Sequence, residues 1–156
     1  MNDDTAALFL HLLGVLLFVG GIILAGAAFE FARRRQTPAE IHLLLTMTRA
    51  GVALVAVGSL LLGLFGLWLV HLGGFGYASG WVDASIALYV VALALGALGG
   101  QRPKQARRLA SQLTAARAPA SEELRALLND RLSRTANYAS LVAILAVLVL
   151  MVFRPG

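Results

Sequence analysis

The chain contains no cysteine, which removes disulfides, thiolate metal sites and cysteine nucleophiles at once. Charge is scarce too: 13% of residues are Asp, Glu, Lys or Arg, about half the roughly 25% usual in soluble domains. Catalytic patterns are missing. No Ser/His/Asp set, convergent carboxylate pair or glycine-rich phosphate loop is present, so hydrolase and ATPase chemistry has nothing to rest on. No series of carboxylates or histidines runs along any apolar stretch. That argues against a pump or ion-coupled transporter carrying its own relay.

What the chain has in abundance is apolar length. Four stretches run roughly from Ala6 to Phe29, Ala50 to Leu72, Trp81 to Gly100 and Ala136 to Phe153. Each is close to the roughly 20 residues a helix needs to cross a hydrocarbon core about 30 Å thick. In lipid an open segment satisfies its own backbone only as a helix. The expected class is all-α: a four-helix transmembrane bundle with helical cytoplasmic extensions, one membrane domain over 1–156. Ala25-Gly26-Ala27 mimics a signal-peptide cleavage site. The acidic leader Asp3-Asp4, the length of the run and the stop at Arg33-Arg34-Arg35 mark it instead as a retained membrane helix.

Basic residues set the threading. Of the 13 Lys and Arg residues, only Arg154 lies outside the first and third connections and their flanks. The second connection, Gly73 to Gly80, carries no charge. The basic connections are therefore expected on the cytoplasmic side of a bacterial inner membrane, with both termini outside. Trp68, Tyr77 and Trp81 cluster at the outer boundary, where amphipathic rings prefer to sit. The net charge of +5 flanks hydrophobic ends rather than forming a groove, which suits anionic lipid and not nucleic acid.

Thr37-Pro38-Ala39-Glu40 is a capping box with proline at the first helical position. It predicts a second helix from Pro38 to Leu72 whose first ten or so residues project beyond the bilayer. Pro119 divides the long connection. Lys104 to Arg117 is basic, with Leu109 and Leu113 on one face. Ser121 then caps a helix in which Leu124, Leu127, Leu128 and Leu132 follow helical spacing. Small residues at fourfold spacing (Gly21 and Ala25; Ala92, Gly96 and Gly100; Ala139 and Ala143), together with Gly58, Gly63 and Gly66, predict close helix contacts.

Polar candidates gather at the outer side. His11 lies about two turns inside the first span, His71 closes the second, and Asp83 opens the third. Antiparallel neighbours bring both histidines into the outer leaflet, with His11 deeper. Two neutral imidazoles can hold haem iron, and Gly14 beside His11 leaves space for a porphyrin. With Asp83 the same pair offers a site for a divalent metal or Cu(II). The competing reading is a structural hydrogen bond for His11 and a solvated, interfacial His71. His42, on the projecting turn, reads as surface.

The run Leu10-His11-Leu12-Leu13-Gly14-Val15-Leu16-Leu17-Phe18-Val19-Gly20-Gly21 resembles the first helix of a family of uncharacterised bacterial integral membrane proteins. That family is grouped with the copper-resistance protein D-like membrane proteins and the HemJ-type protoporphyrinogen oxidase. The resemblance implies that His11 corresponds to a haem-associated histidine and that haem b is a candidate cofactor. It also implies an oxidase lysine in a later membrane helix, whereas the single lysine here, Lys104, lies in a connection. The methionine clusters usual in copper proteins are absent as well; Met47 and Met151 stand isolated.

The reading the residues favour is a non-enzymatic membrane component in contact with lipids, as a homo-oligomer or part of a larger complex. A haem-b or metal-binding redox or sensor protein using His11 is the alternative, and a small permease the third.

Overall fold

The structure, a computed structural model, describes residues 3–73 and 80–153. It is all-helical, with no strand among the described residues, and four helices are long and apolar enough to cross a membrane. The order is α1 (Asp3–Arg33), α2 (Pro38–Leu72), α3 (Gly80–Gly99), α4 (Gln101–Ala115), α5 (Glu122–Leu128) and α6 (Arg131–Phe153). Tyr77, Arg154 and the 74–79 part of the uncharged connection lie outside the described residues.

Thr37 caps α2 as expected, but the Glu40 carboxylate returns to the Thr37 hydroxyl rather than to its backbone amide. Thr37 has extended backbone and its hydroxyl oxygen accepts from the Glu40 amide at 3.4 Å, while the same hydroxyl donates to the Glu40 carboxylate at 2.7 Å. Pro38 occupies the first turn, where its missing N–H costs nothing. Ser121 caps α5 by accepting from the Leu124 amide at 3.2 Å. The expected helix through Leu132 stops earlier. Asp130 accepts from the Ser133 amide at 2.8 Å and starts α6, leaving Leu132 on that helix and 74% exposed.

Two compact units divide the chain: Met1–Phe75 with Arg107–Ala120, and Gly76–Ala106 with Ser121–Gly156. The first is built on the antiparallel pair α1 and α2. Its interior follows one face of each helix: Ala7, Gly14, Phe18, Gly21 and Ala28 on α1, and Ile41, Leu45, Thr48, Gly51 and Gly58 on α2. A Cβ on Gly58 would stand 2.5 Å from the Phe18 amide nitrogen and 2.8 Å from the Gly14 carbonyl oxygen. One on Gly21 would stand 2.6 Å from the Gly51 carbonyl oxygen. The helices therefore touch backbone to backbone, which is how packing gains energy where lipid is as apolar as leucine. Leu16, Leu60, Leu64 and other large apolar side chains point away from the pair and stay exposed, as lipid contact demands.

The second unit rests on α3 and α6. On α6, Ser133, Ala136, Ser140, Ala143 and Val147 are buried, a stripe of threes and fours. Ser140 donates to the Ala92 carbonyl at 2.8 Å. Gly99 is buried beneath the Asn137 side chain, which fills the place a Cβ would take. Of the small residues expected to mediate contact, Ala92 and Ala143 do so, whereas Ala139 is exposed. The helical ladder runs on across Gly100, whose N–H donates to Gly96 at 3.0 Å and whose carbonyl accepts from Lys104 at 3.3 Å.

Candidate functional site

The candidate site is the His11 end of the α1–α2 pair. Helical spacing puts His11 on the same face as Ala7, Gly14 and Phe18, which is the face turned to α2. There its Nδ1 lies 3.1 Å from the Leu62 carbonyl oxygen. A carbonyl only accepts, so Nδ1 carries the hydrogen, which in the uncharged form of the ring puts the lone pair on Nε2. The approach depends on Gly66. A Cβ there would lie 3.1 Å from the His11 Cε1 and 3.3 Å from Nδ1, closer than an aromatic ring normally tolerates. The absent side chain at Gly66 is the slot in which the imidazole lies.

Beyond Gly66, Phe65 and Trp68 stack with ring centroids 6.2 Å apart and planes 15° apart. With Ala6 and Ala7 they line a crevice of about 80 Å³. Small-molecule sites commonly need roughly 300–1,000 Å³. Trp68 is half exposed, consistent with a ring placed at a membrane boundary.

The space sequence reasoning set aside for a porphyrin beside Gly14 is filled by α2. A Cβ on Gly14 would stand 2.6 Å from the Leu62 amide nitrogen. His71 is exposed in the last turn of α2. It lies nine residues beyond Leu62, about 13 Å along the axis at 1.5 Å per residue. No hydrogen bond joins His11 and His71 among the described residues. Asp83 is exposed in the first turn of α3, in the other unit. Among the described residues no group of three or more His, Asp or Glu stands arranged to hold a metal.

His42 is not a plain surface residue. It is half-buried, and its Nδ1 lies 3.3 Å from the Arg107 carbonyl oxygen, tying α2 to the later part of α4. In that part of α4 Ala110 is buried, while Leu109 and Leu113 are only half-buried. Sequence reasoning also missed the Gly14–Gly58 and Gly21–Gly51 pairing. The signal was available as a sevenfold glycine spacing on each helix, read in antiparallel register.

On the basic side of the first unit, Glu30 pairs with Arg33 at 2.8 Å and Glu40 with Arg35 at 3.8 Å. Arg34, Arg49, Arg107, Arg108 and Arg117 have no ion pair among the described residues. In the second unit, Asp130 takes Arg102 at 3.8 Å. The Ser133 amide, with smaller help from the Ser133 hydroxyl and the Arg102 charge, holds the Asp130 carboxyl below the ordinary carboxylate range.

A family model described as a predicted integral membrane protein (DUF2269) matches residues 5–155. No curated protein and no solved structure matches the chain.

Proposed function

Because the chain belongs to this family of predicted integral membrane proteins, we propose, on its own residues, that it is a non-enzymatic membrane component. In this reading apolar helices anchor it and the arginine-rich connections form its docking side. One observation carries the reading. The interior of α1–α2 is spent on backbone contact at Gly14, Gly21, Gly51 and Gly58, and such a joint holds two helices rigidly without housing a substrate. The uncompensated arginines supply the second half, a positive face suited to anionic lipid or an acidic partner subunit. The membrane is the inner membrane of a bacterium, with the basic connections cytoplasmic and both termini outside, as the positive-inside rule requires.

A second reading keeps His11 as a ligand, favoured by its hydrogen bond. Metal-binding histidines commonly donate their other ring N–H to a carbonyl, which fixes the tautomer. Here that donation leaves Nε2 available for a haem iron or a metal ion. A porphyrin does not fit between α1 and α2 at Gly14, so any such ligand is held by His11 from outside that joint.

An absorption spectrum of detergent-purified protein, from cells supplied with haem and copper, separates the two readings. The first expects no Soret band, no copper and an His11→Asn variant that folds normally. A Soret band abolished by His11→Asn overturns it in favour of the second.

A further inference from the structure

At the charged end of the second unit, the Asp130 carboxylate is already committed to other partners. The Arg102 Nε lies 3.8 Å from the Asp130 Oδ1, and the Arg102 Nη1 donates to the Gln105 Oε1 at 3.3 Å. The other oxygen of Asp130 accepts from the Ser133 amide. Arg134 sits one turn along α6, its own amide bonded to the Asp130 carbonyl at 3.3 Å, yet its side chain forms no ion pair with that residue. The Arg134 Nε is buried and has no hydrogen-bond partner. Proteins leave few such atoms unpaired, and an unpaired charged donor is costlier than a neutral one.

The register of the helix pair adds a second observation. Ala92 meets Ser140, Gly99 meets Asn137, and Arg102 meets Asp130. Continued along the antiparallel pair, that register sets Arg134 within about one helical turn of the level of Arg102, close to the point where the apolar run of α3 ends at Gly99. Two guanidinium groups within a turn of one another on facing helices repel unless an anion lies between them. Lys104 and Arg131, both exposed and without an ion pair among the described residues, add to the excess of positive charge.

We propose that Arg102 and Arg134 together bind the phosphate of an anionic phospholipid headgroup at the end of the α3–α6 pair. The planar guanidinium fork suits phosphate oxygens, and arginine serves this purpose better than lysine. The level of the site, where a bilayer's hydrocarbon gives way to headgroups, selects a lipid over a free anion. Basic pockets between membrane helices take such headgroups. The headgroup oxygen supplies the acceptor that the Arg134 Nε lacks, and Asp130 holds Arg102 in place.

The test uses the full chain in detergent micelles doped with phosphatidylglycerol or phosphatidylcholine, with retained lipid counted by native mass spectrometry. The expected result is one phosphatidylglycerol per chain, kept in preference to phosphatidylcholine. Arg134→Gln and Arg102→Gln should each weaken retention about fivefold. Arg49→Gln, in the other unit, should leave it unchanged. Arg134→Lys, which keeps the charge and loses the fork, should fall between wild type and Arg134→Gln. Millimolar inorganic phosphate should not displace the lipid. Equal retention of the two lipids by the wild type overturns the proposal, whatever the variants do. Displacement by inorganic phosphate makes the site one for free phosphate and overturns it as well, as does an equal loss in Arg49→Gln.

Discussion

His11 shows how one polar side chain is kept within an apolar helix pair. The ring spends its N–H on the Leu62 carbonyl at 3.1 Å, and leaving such a group unsatisfied would cost a few kcal/mol. Gly66 makes the bond geometrically open. His11→Ala and Gly66→Ala should therefore be coupled: the first removes the hydrogen bond, the second presses a methyl group on the ring that makes it, and with the ring gone that pressure is gone too. A double-mutant cycle by denaturation in mixed micelles should give a coupling of about 0.5–1.5 kcal/mol. Strict additivity would mean that the ring does not lie against Gly66. Asp130 makes a different residue-level prediction. Its folded pKa is lowered, so its contribution is complete above the ordinary carboxylate pKa of about 4 and fades as pH falls through the lower folded value. Thermal midpoints taken from about pH 6 to about pH 3 should fall for wild type, and less steeply for Asp130→Asn, which caps without titrating. Parallel slopes would remove Asp130 as the source.

Among the elements, α1 and α2 are joined by glycines whose surroundings differ sharply. At Gly21 and Gly58 a methyl group would meet the partner backbone at 2.6 and 2.5 Å, whereas Gly20 and Gly26 have nothing within 4 Å. Backbone cannot step aside as a flexible side chain can, so the helices must separate. Gly58→Ala and Gly21→Ala should each destabilise the protein by about 1–3 kcal/mol, the usual cost of overpacking. Gly20→Ala and Gly26→Ala should be neutral or stabilising by up to about 1 kcal/mol, since alanine is the better helix former. Unfolding of the four variants in mixed micelles checks the contrast. Similar values for all four would mean that helix propensity alone governs these sites.

For the whole molecule, the threading is what arginine placement argues for most directly. A cysteine introduced at Ser79 should react with an impermeant thiol reagent on intact cells, while one at Ser111, exposed on α4, should react only after lysis. Because the natural chain has no cysteine, each label reports a single position. The opposite pattern would invert the orientation and move His11 to the cytoplasmic leaflet. The arginine-rich docking side would then face outward, and the proposed function would lose its physical basis.

Much of the architecture was legible in the residues themselves. Long apolar runs have one solution in lipid, and the local caps at Thr37 and Ser121 mark helix starts through bonds spanning only three residues. The sequence by itself therefore determined the all-helical class, the four helices long and apolar enough to cross a membrane, and the first residue of α2. It did not determine where α5 ends, because Leu132 keeps helical spacing while Asp130 supplies a new cap. Nor could it decide the state of His11. A histidine beside a glycine in an apolar run reads equally as a ligand beside a cavity or as a donor beside a backbone. Which backbone carbonyl takes the ring N–H depends on which residue of α2 stands opposite, a matter of register between segments some fifty positions apart. The tertiary structure set that register, with Gly58 against Phe18 and Gly66 beneath His11. Helix contact in lipid is fixed by the shapes of two surfaces together, and neither surface is encoded in the spacing of one helix alone.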